Sequence, residues 1–203
     1  LGDVYKRQYL YCGLSRDASK EEILERINNN TITDILNKIE VKAGDVVMVK
    51  AGTIHAIGAG VFICEIQQNS NCTYRMYDYD RRDKFGNPRE LHVKKALDVV
   101  DNHKYIKDNK TEVVIARNEH FTEERLVQCK YFEVYKYDVN DEAKITVDEA
   151  SFVSVLFING SGTIETDDYE KTMEFKAGDS FFVSAGLRSI IVKGRATMVV
   201  TRV

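Results

Sequence analysis

The sequence predicts a mainly β protein built from two related lobes, with a small helical insert in the first. Three observations predict it: an internal repeat, a C-terminal half made of short β-prone runs separated by turns, and helix-start signals confined to the N-terminal half. Residues 42–60 (KAGDVVMVKAGTIHAIGAG) align without gaps on residues 176–194 (KAGDSFFVSAGLRSIIVKG). Each copy has a Lys-Ala-Gly-Asp turn, a five-residue run of mostly apolar residues, and an Ala-Gly turn before a further apolar stretch, which is turn punctuation around short strands. The copies lie too far apart for a solenoid period, so they mark two related β-domains rather than an array. The lobes are expected over residues 1–110 and 111–203.

In chain order, Ser19-Lys20-Glu21-Glu22 reads as a capping box, with Ile23, Leu24 and Ile27 following on one helical face. Ile32, Ile35, Leu36 and Ile39 repeat the i, i+3, i+4, i+7 spacing and predict a second short helix. A third is predicted from Asn87 to about Val100: Asn87 caps, Pro88 takes the first helical position, Glu90 the third, and Val93, Ala96, Leu97 and Val100 form the apolar stripe. Beyond Thr111, strands are expected over 113–116, 131–137, 152–158, 174–175, 180–183, 189–192 and 196–201, with turns at Asn159-Gly160-Ser161-Gly162 and Asp167-Asp168. Seven or so strands without a helix predict a sandwich or barrel. Residues 1–80 read as the latter part of a similar barrel. The start at Leu1 rather than Met, ahead of a run without periodicity (LGDVYKRQ), predicts a fragment of a longer chain.

Composition narrows the function. Twenty-nine Lys and Arg against 32 Asp and Glu leave a net charge of −3, which provides no field to draw in nucleic acid. No run approaches the roughly 18 apolar residues of a membrane span, and the N-terminus lacks the pattern of an export signal. Cys12, Cys64, Cys72 and Cys129 are far apart with no C-x-x-C pair, as suits reduced thiols. A cytoplasmic protein is expected; oligomeric state is not legible.

The repeat also points to chemistry. Where the second copy has Ser189, the first has His55, which is then either a metal ligand or a hydrogen-bonded residue beside a turn. In the stretch Thr73-Tyr74-Arg75-Met76-Tyr77-Asp78-Tyr79-Asp80-Arg81, strand periodicity puts Arg75, Tyr77, Tyr79 and Arg81 on one face and Tyr74, Met76, Asp78 and Asp80 on the other. Such faces fit a polar pocket in which Arg receives phosphate or carboxylate, or else an exposed edge strand laced with ion pairs. A calcium loop at Asp78, Asp80 and Asp83 fails for want of the required Gly and Glu, and no Walker, G-x-G-x-x-G or G-x-S-x-G motif occurs. His92, His103 and His120 are expected in solvated or hydrogen-bonded roles.

The run Ala51-Gly52-Thr53-Ile54-His55-Ala56, then Glu65-Ile66-Gln67-Gln68-Asn69-Ser70 and the stretch from Thr73 to Arg81, resembles the signature block of class I mannose-6-phosphate isomerases, the short bacterial type in particular. The resemblance continues through Gly86-Asn87-Pro88-Arg89-Glu90-Leu91-His92 and more loosely to Lys176-Ala177-Gly178-Asp179. It implies a cupin (double-stranded β-helix, jelly-roll) repeat: 1–110 as the C-terminal portion of the metal-binding catalytic cupin, incomplete and carrying the helical insert, and 111–203 as a complete but degenerate second cupin.

The implied activity is interconversion of mannose 6-phosphate and fructose 6-phosphate through a metal-stabilised enediol(ate), with a hexose 6-phosphate as partner and one divalent metal, zinc, as cofactor. Of the family's metal ligands only His55 maps onto this chain; a Gln-x-His pair and a following Glu belong upstream of Leu1. Arg75 matches the proposed catalytic arginine, and Glu65 matches an acidic residue of the pocket, as base or orienter. The resemblance thus implies an N-terminally truncated isomerase whose isolated fragment is inactive. The competing expectation is a non-catalytic cupin module that binds sugar or supports assembly.

Overall fold

The computed structural model describes residues 8–107, 113–166 and 172–203. The chain divides into two compact units, Leu1–Asp108 and Asn109–Val203.

The first unit opens with strand β1 (Tyr9–Leu14) and helix α1 (Lys20–Asn28). The Ser19 hydroxyl accepts the Glu22 N–H at 3.1 Å, which is the cap expected from sequence. Glu22 does not complete the box; its carboxylate takes Arg26 Nε at 2.8 Å and the Arg16 guanidinium. Ile23 and Ile27 face inward. The second predicted helix shrinks to a 3-10 turn, Ile32–Ile35, because Leu36 enters strand β2 (Leu36–Glu40) opposite Leu14. Asn37 secures that crossing by donating to the Leu14 carbonyl at 2.8 Å. Strand β3 (His55–Ile57) pairs with the other side of β1, giving an antiparallel order β2-β1-β3.

Helix α2 spans Val93–Val99, a turn and a half later than its Asn87-Pro88 signal predicts. Asn87 is held elsewhere: both its backbone and side-chain N–H groups donate to the Asp83 carboxylate, at 2.9 and 3.4 Å. These contacts turn the chain instead of starting a helix. Leu14, Ile23, Ile27, Ile32, Ile35, Met76 and Ala96 form the core of this unit.

The second unit is an eight-stranded antiparallel sheet: β4 (Val113–Arg117), β5 (Phe121–Gln128), β6 (Glu133–Val139), β7 (Glu142–Val147), β8 (Val153–Thr166), β9 (Met173–Lys176), β10 (Ser180–Val183) and β11 (Arg188–Arg202). The path runs β10-β8-β11-β6-β5-β4, with β7 on β11 and β9 on β8. The predicted turn at 159–162 and the predicted break between 189–192 and 196–201 are instead the middles of two long strands, paired from Ile190↔Thr166 to Arg202↔Val153. Glycine makes this crossing possible, because a Cβ on Gly160 would lie 1.9 Å from the Arg195 carbonyl oxygen. The expected turn at Asp167-Asp168 lies outside the described residues. Phe157 and Phe175 stack at the centre with ring centroids 3.7 Å apart. Within the strand expected over 131–137, Tyr135 and Tyr137 are buried and Tyr131 is exposed.

Candidate functional site

The sequence-selected residues all lie in the first unit, on segments with little regular structure. His55 opens β3, with its backbone opposite Cys12 of β1 and its side chain exposed. Its Nδ1 lies 3.0 Å from the Thr53 carbonyl. A carbonyl can only accept, so Nδ1 is the donor in this contact and Nε2 is the ring nitrogen left for a ligand. Glu65 is exposed on an irregular stretch. Neither residue shares a hydrogen bond or ion pair with Arg75.

Arg75 stands at the root of an irregular hairpin, 75–92, where an exposed edge strand laced with ion pairs is one of the expectations. Its arms are joined at the base by the His92 N–H donating to the Arg75 carbonyl at 2.6 Å. The Arg75 N–H donates in turn to His92 Nδ1 at 3.3 Å, which assigns that ring a hydrogen-bonded role. Nearer the tip, Arg82 bridges Pro88, and the Asp83 N–H donates to the Asn87 carbonyl at 2.9 Å. The Arg75 guanidinium reaches the Glu90 carbonyl at 3.4 Å. His103 Nδ1 and His120 Nδ1 lie 3.0 Å from Asp101 and Asp141 respectively, both on exposed surfaces.

Of the alternation predicted for 73–81 only the stretch 75–78 holds: Met76 and Asp78 are buried and Arg75 and Tyr77 half-exposed, whereas Tyr74, expected on the face of Met76, is exposed. The alternation ends after Asp78, because Tyr79 and Asp80 both take left-handed backbone angles, φ 56° and 49°. The reversal turns Arg81 out of the face that alternation gives it and back onto Asp78. Sequence reasoning missed this partnership; an Asp and an Arg three positions apart are an unremarkable pair unless a turn lies between them.

Among the described residues, no group of three or more His, Cys, Asp or Glu is placed to hold a metal ion. His55 is a single donor, so the residues present do not by themselves fit the implied metal site. A cavity of about 220 Å³ opens in the second unit, lined by Ile164, Met173, Phe181, Leu187 and neighbours, and contains none of the sequence-selected residues.

Residues 122–203 match the family described as mannose-6-phosphate isomerase, cupin domain. The chain is 40% identical over 190 residues to the putative mannose-6-phosphate isomerase YvyI of Bacillus subtilis, covering 91% of this chain and 57% of that protein. It is 33% identical over 193 residues to the mannose-6-phosphate isomerase ManA of the same organism, covering 90% and 56%. The crystal structure of the mannose 6-phosphate isomerase from Bacillus subtilis superposes with a TM-score of 0.86 at 35% identity, covering 98% of this chain and 62% of that one. A putative mannosephosphate isomerase from Archaeoglobus fulgidus shares the fold at TM-score 0.62.

Sheet topology and these matches together define a mainly β protein of the cupin class. Within that class the chain is a relative of the mannose-6-phosphate isomerases, and it spans little more than half the length of the curated relatives it matches. No helix is long and apolar enough to cross a membrane among the described residues.

Proposed function

We propose that this chain forms part of an aldose–ketose isomerase that interconverts mannose 6-phosphate and fructose 6-phosphate. The observation that carries this reading is the 40% identity to YvyI over 91% of the chain, a match long enough to take in the stretch bearing His55, Glu65 and Arg75. The reaction moves a proton between neighbouring carbons through an enediol whose oxygens gain negative charge, so it needs a positioned base and a fixed positive group. Arg75 supplies permanent charge at the root of the hairpin, where its guanidinium is steadied by the Glu90 carbonyl. Glu65, an exposed carboxylate, serves as base or as orienter of the sugar hydroxyls. His55 offers Nε2 as one donor to a divalent metal, zinc in this reading, in a set that the described residues alone do not complete.

The test joins this chain to the part of a relative that the match does not cover and follows both hexose phosphates in a coupled assay. Metal-dependent interconversion is expected. Arg75→Ala should depress kcat by about 100-fold or more with metal content unchanged, and His55→Ala should lower metal content. Failure to interconvert either sugar phosphate would overturn the proposal, and sugar binding without turnover would favour a non-catalytic module. Equal metal loss in both variants would refute the assigned roles.

A further inference from the structure

The cavity of the second unit lies on the segment that the internal repeat makes the counterpart of the one bearing His55. Phe181, Phe182, Leu187 and Ile190 of its lining all fall within residues 176–194, the copy that aligns on 42–60. The two copies hold the matching loop by the same carbonyl. In the first, the Thr53 carbonyl takes His55 Nδ1 at 3.0 Å. In the second, the carbonyl at the equivalent position, Leu187, takes the Ser189 N–H at 2.7 Å. The side chains then part company, because His55 is exposed whereas Ser189 is 1% exposed.

With no imidazole, the second copy suits a different kind of ligand. Ile164 and Met173 join the four residues above in the lining, and no charged side chain lines the cavity among the described residues. A sugar would bury hydroxyls there without partners, which is costly. The volume, about 220 Å³, sets the size of a suitable occupant. It exceeds the roughly 150 Å³ of an apolar cavity that admits benzene, and falls short of the roughly 300 Å³ at which pockets for drug-sized molecules begin. One ring fits. The lining also favours a ring over an alkyl chain, because its aromatic side chains are fixed: Phe181 meets Phe157 edge-on at 5.9 Å and Phe182 stacks on Phe152 at 4.8 Å. The Met173 thioether adds a sulfur contact that aromatic rings accept well. Phe182 and Ser184 are exposed, so the cavity opens to solvent beside a hydroxyl.

We propose that the second unit binds an uncharged, single-ring aromatic compound in this cavity, its ring among Met173, Phe181 and Leu187 and a polar substituent at the mouth beside Ser184. The repeat has kept the place of the pocket and exchanged metal-binding chemistry for apolar recognition. None of these residues belongs to the first unit, so the site stands apart from the isomerase reading.

The test titrates the 203-residue chain with p-cresol, using calorimetry for affinity and methionine methyl NMR for location. A Kd of about 0.1–1 mM is expected for so small a ligand. The Met173 methyl signal should move upfield under the ring current, while those of Met48 and Met76, in the first unit, stay still. Leu187→Phe fills the cavity and should weaken binding by about tenfold or more. Met173→Leu keeps the volume, removes the sulfur and should weaken it by about threefold. Tyr131→Ala, at an exposed ring outside the lining, should leave it within about twofold. Absence of saturable binding, or equal effects of Leu187→Phe and Tyr131→Ala, would overturn the proposal. Equal affinity for 4-methylcyclohexanol, the saturated counterpart, would refute an aromatic ligand, and a Met173 shift with fructose 6-phosphate would refute an apolar one. A Met173 signal that moves on raising the protein concentration alone would make the mouth a contact between copies of the chain and sink the ligand site.

Discussion

The Lys-Ala-Gly-Asp turn occurs once in each unit and is built the same way in both, yet the residues after it behave differently. The Asp carboxylate accepts the Lys N–H at 3.0 Å in the first unit (Asp45 to Lys42) and at 2.9 Å in the second (Asp179 to Lys176). The Asp N–H returns to the Lys carbonyl at 3.1 Å in both. Gly44 and Gly178 stand at φ 92° and 91°, and Gly52 and Gly186 at 84° and 80°. After the second turn, Ser180–Val183 forms β10 against the first residues of β8. After the first, residues 46–50 carry a similarly apolar run but form no strand. Turn geometry is a local property of four residues, whereas a strand exists only where a neighbour takes up its backbone groups.

The largest difference between the units should appear when one is unfolded and the other is watched. Phe157 is fully buried, stacked on Phe175 and met edge-on by Phe181. Phe157→Ala should cost the second unit about 3–5 kcal/mol by emptying the centre of its core. In native-state hydrogen exchange, amides of β8 and β11 should lose protection while those of β1 and β2 keep theirs. An equal loss in β1 would show that the units unfold as one body.

How much of this was legible in sequence follows the same division between local and distant causes. Helix α1 could be read because Ser19, Glu22, Ile23 and Ile27 act within two turns of one another. So could β7, had its alternation been followed: Ala143, Ile145 and Val147 point inward and their neighbours outward. Strand β5 could not, because every residue from Phe121 to Val127 is half-buried and leaves no period to find. In the candidate site, His55 stood out through the repeat itself. The hairpin did not, because Asn87-Pro88 imitates a helix start and only the distant Asp83 carboxylate decides otherwise. Nor did the Asp78–Arg81 pairing, which depends on left-handed backbone at two residues, Tyr79 and Asp80, that are not glycine.

A smaller effect sharpens the claim that the two turns are equivalent. An added Cβ at Gly44 or Gly178 meets nothing within 4 Å, so Gly→Ala at either position tests backbone angle alone. Each substitution should destabilise its own unit by about 1 kcal/mol, the usual penalty for a side chain in left-handed backbone. Calorimetry or denaturant titration of the two variants measures this. A difference well above that size between them would mean that the strand after the second turn, and not the turn itself, selects the glycine.

The smallest effect expected separates the units by pH. In the first unit, side-chain hydrogen bonds from Arg16 and then Arg26 hold the Glu22 carboxyl down to about 2 from an ordinary 4.5. Its contribution is complete above pH 4.5 and drains away as the pH falls toward 2, so Glu22→Gln should flatten the acid limb of the stability curve for α1. In the second unit, burial first and the hydrogen bond from the Tyr137 hydroxyl to Glu123 second push the phenol well above its ordinary 10.0. That contribution is complete below pH 10 and is lost only as the pH climbs past it, so Tyr137→Phe should alter the alkaline limb and leave the acid limb alone. Hydrogen exchange or circular dichroism across both limbs tests the pair, and an acid-labile second unit whose acid limb Tyr137→Phe removes would refute the assignment.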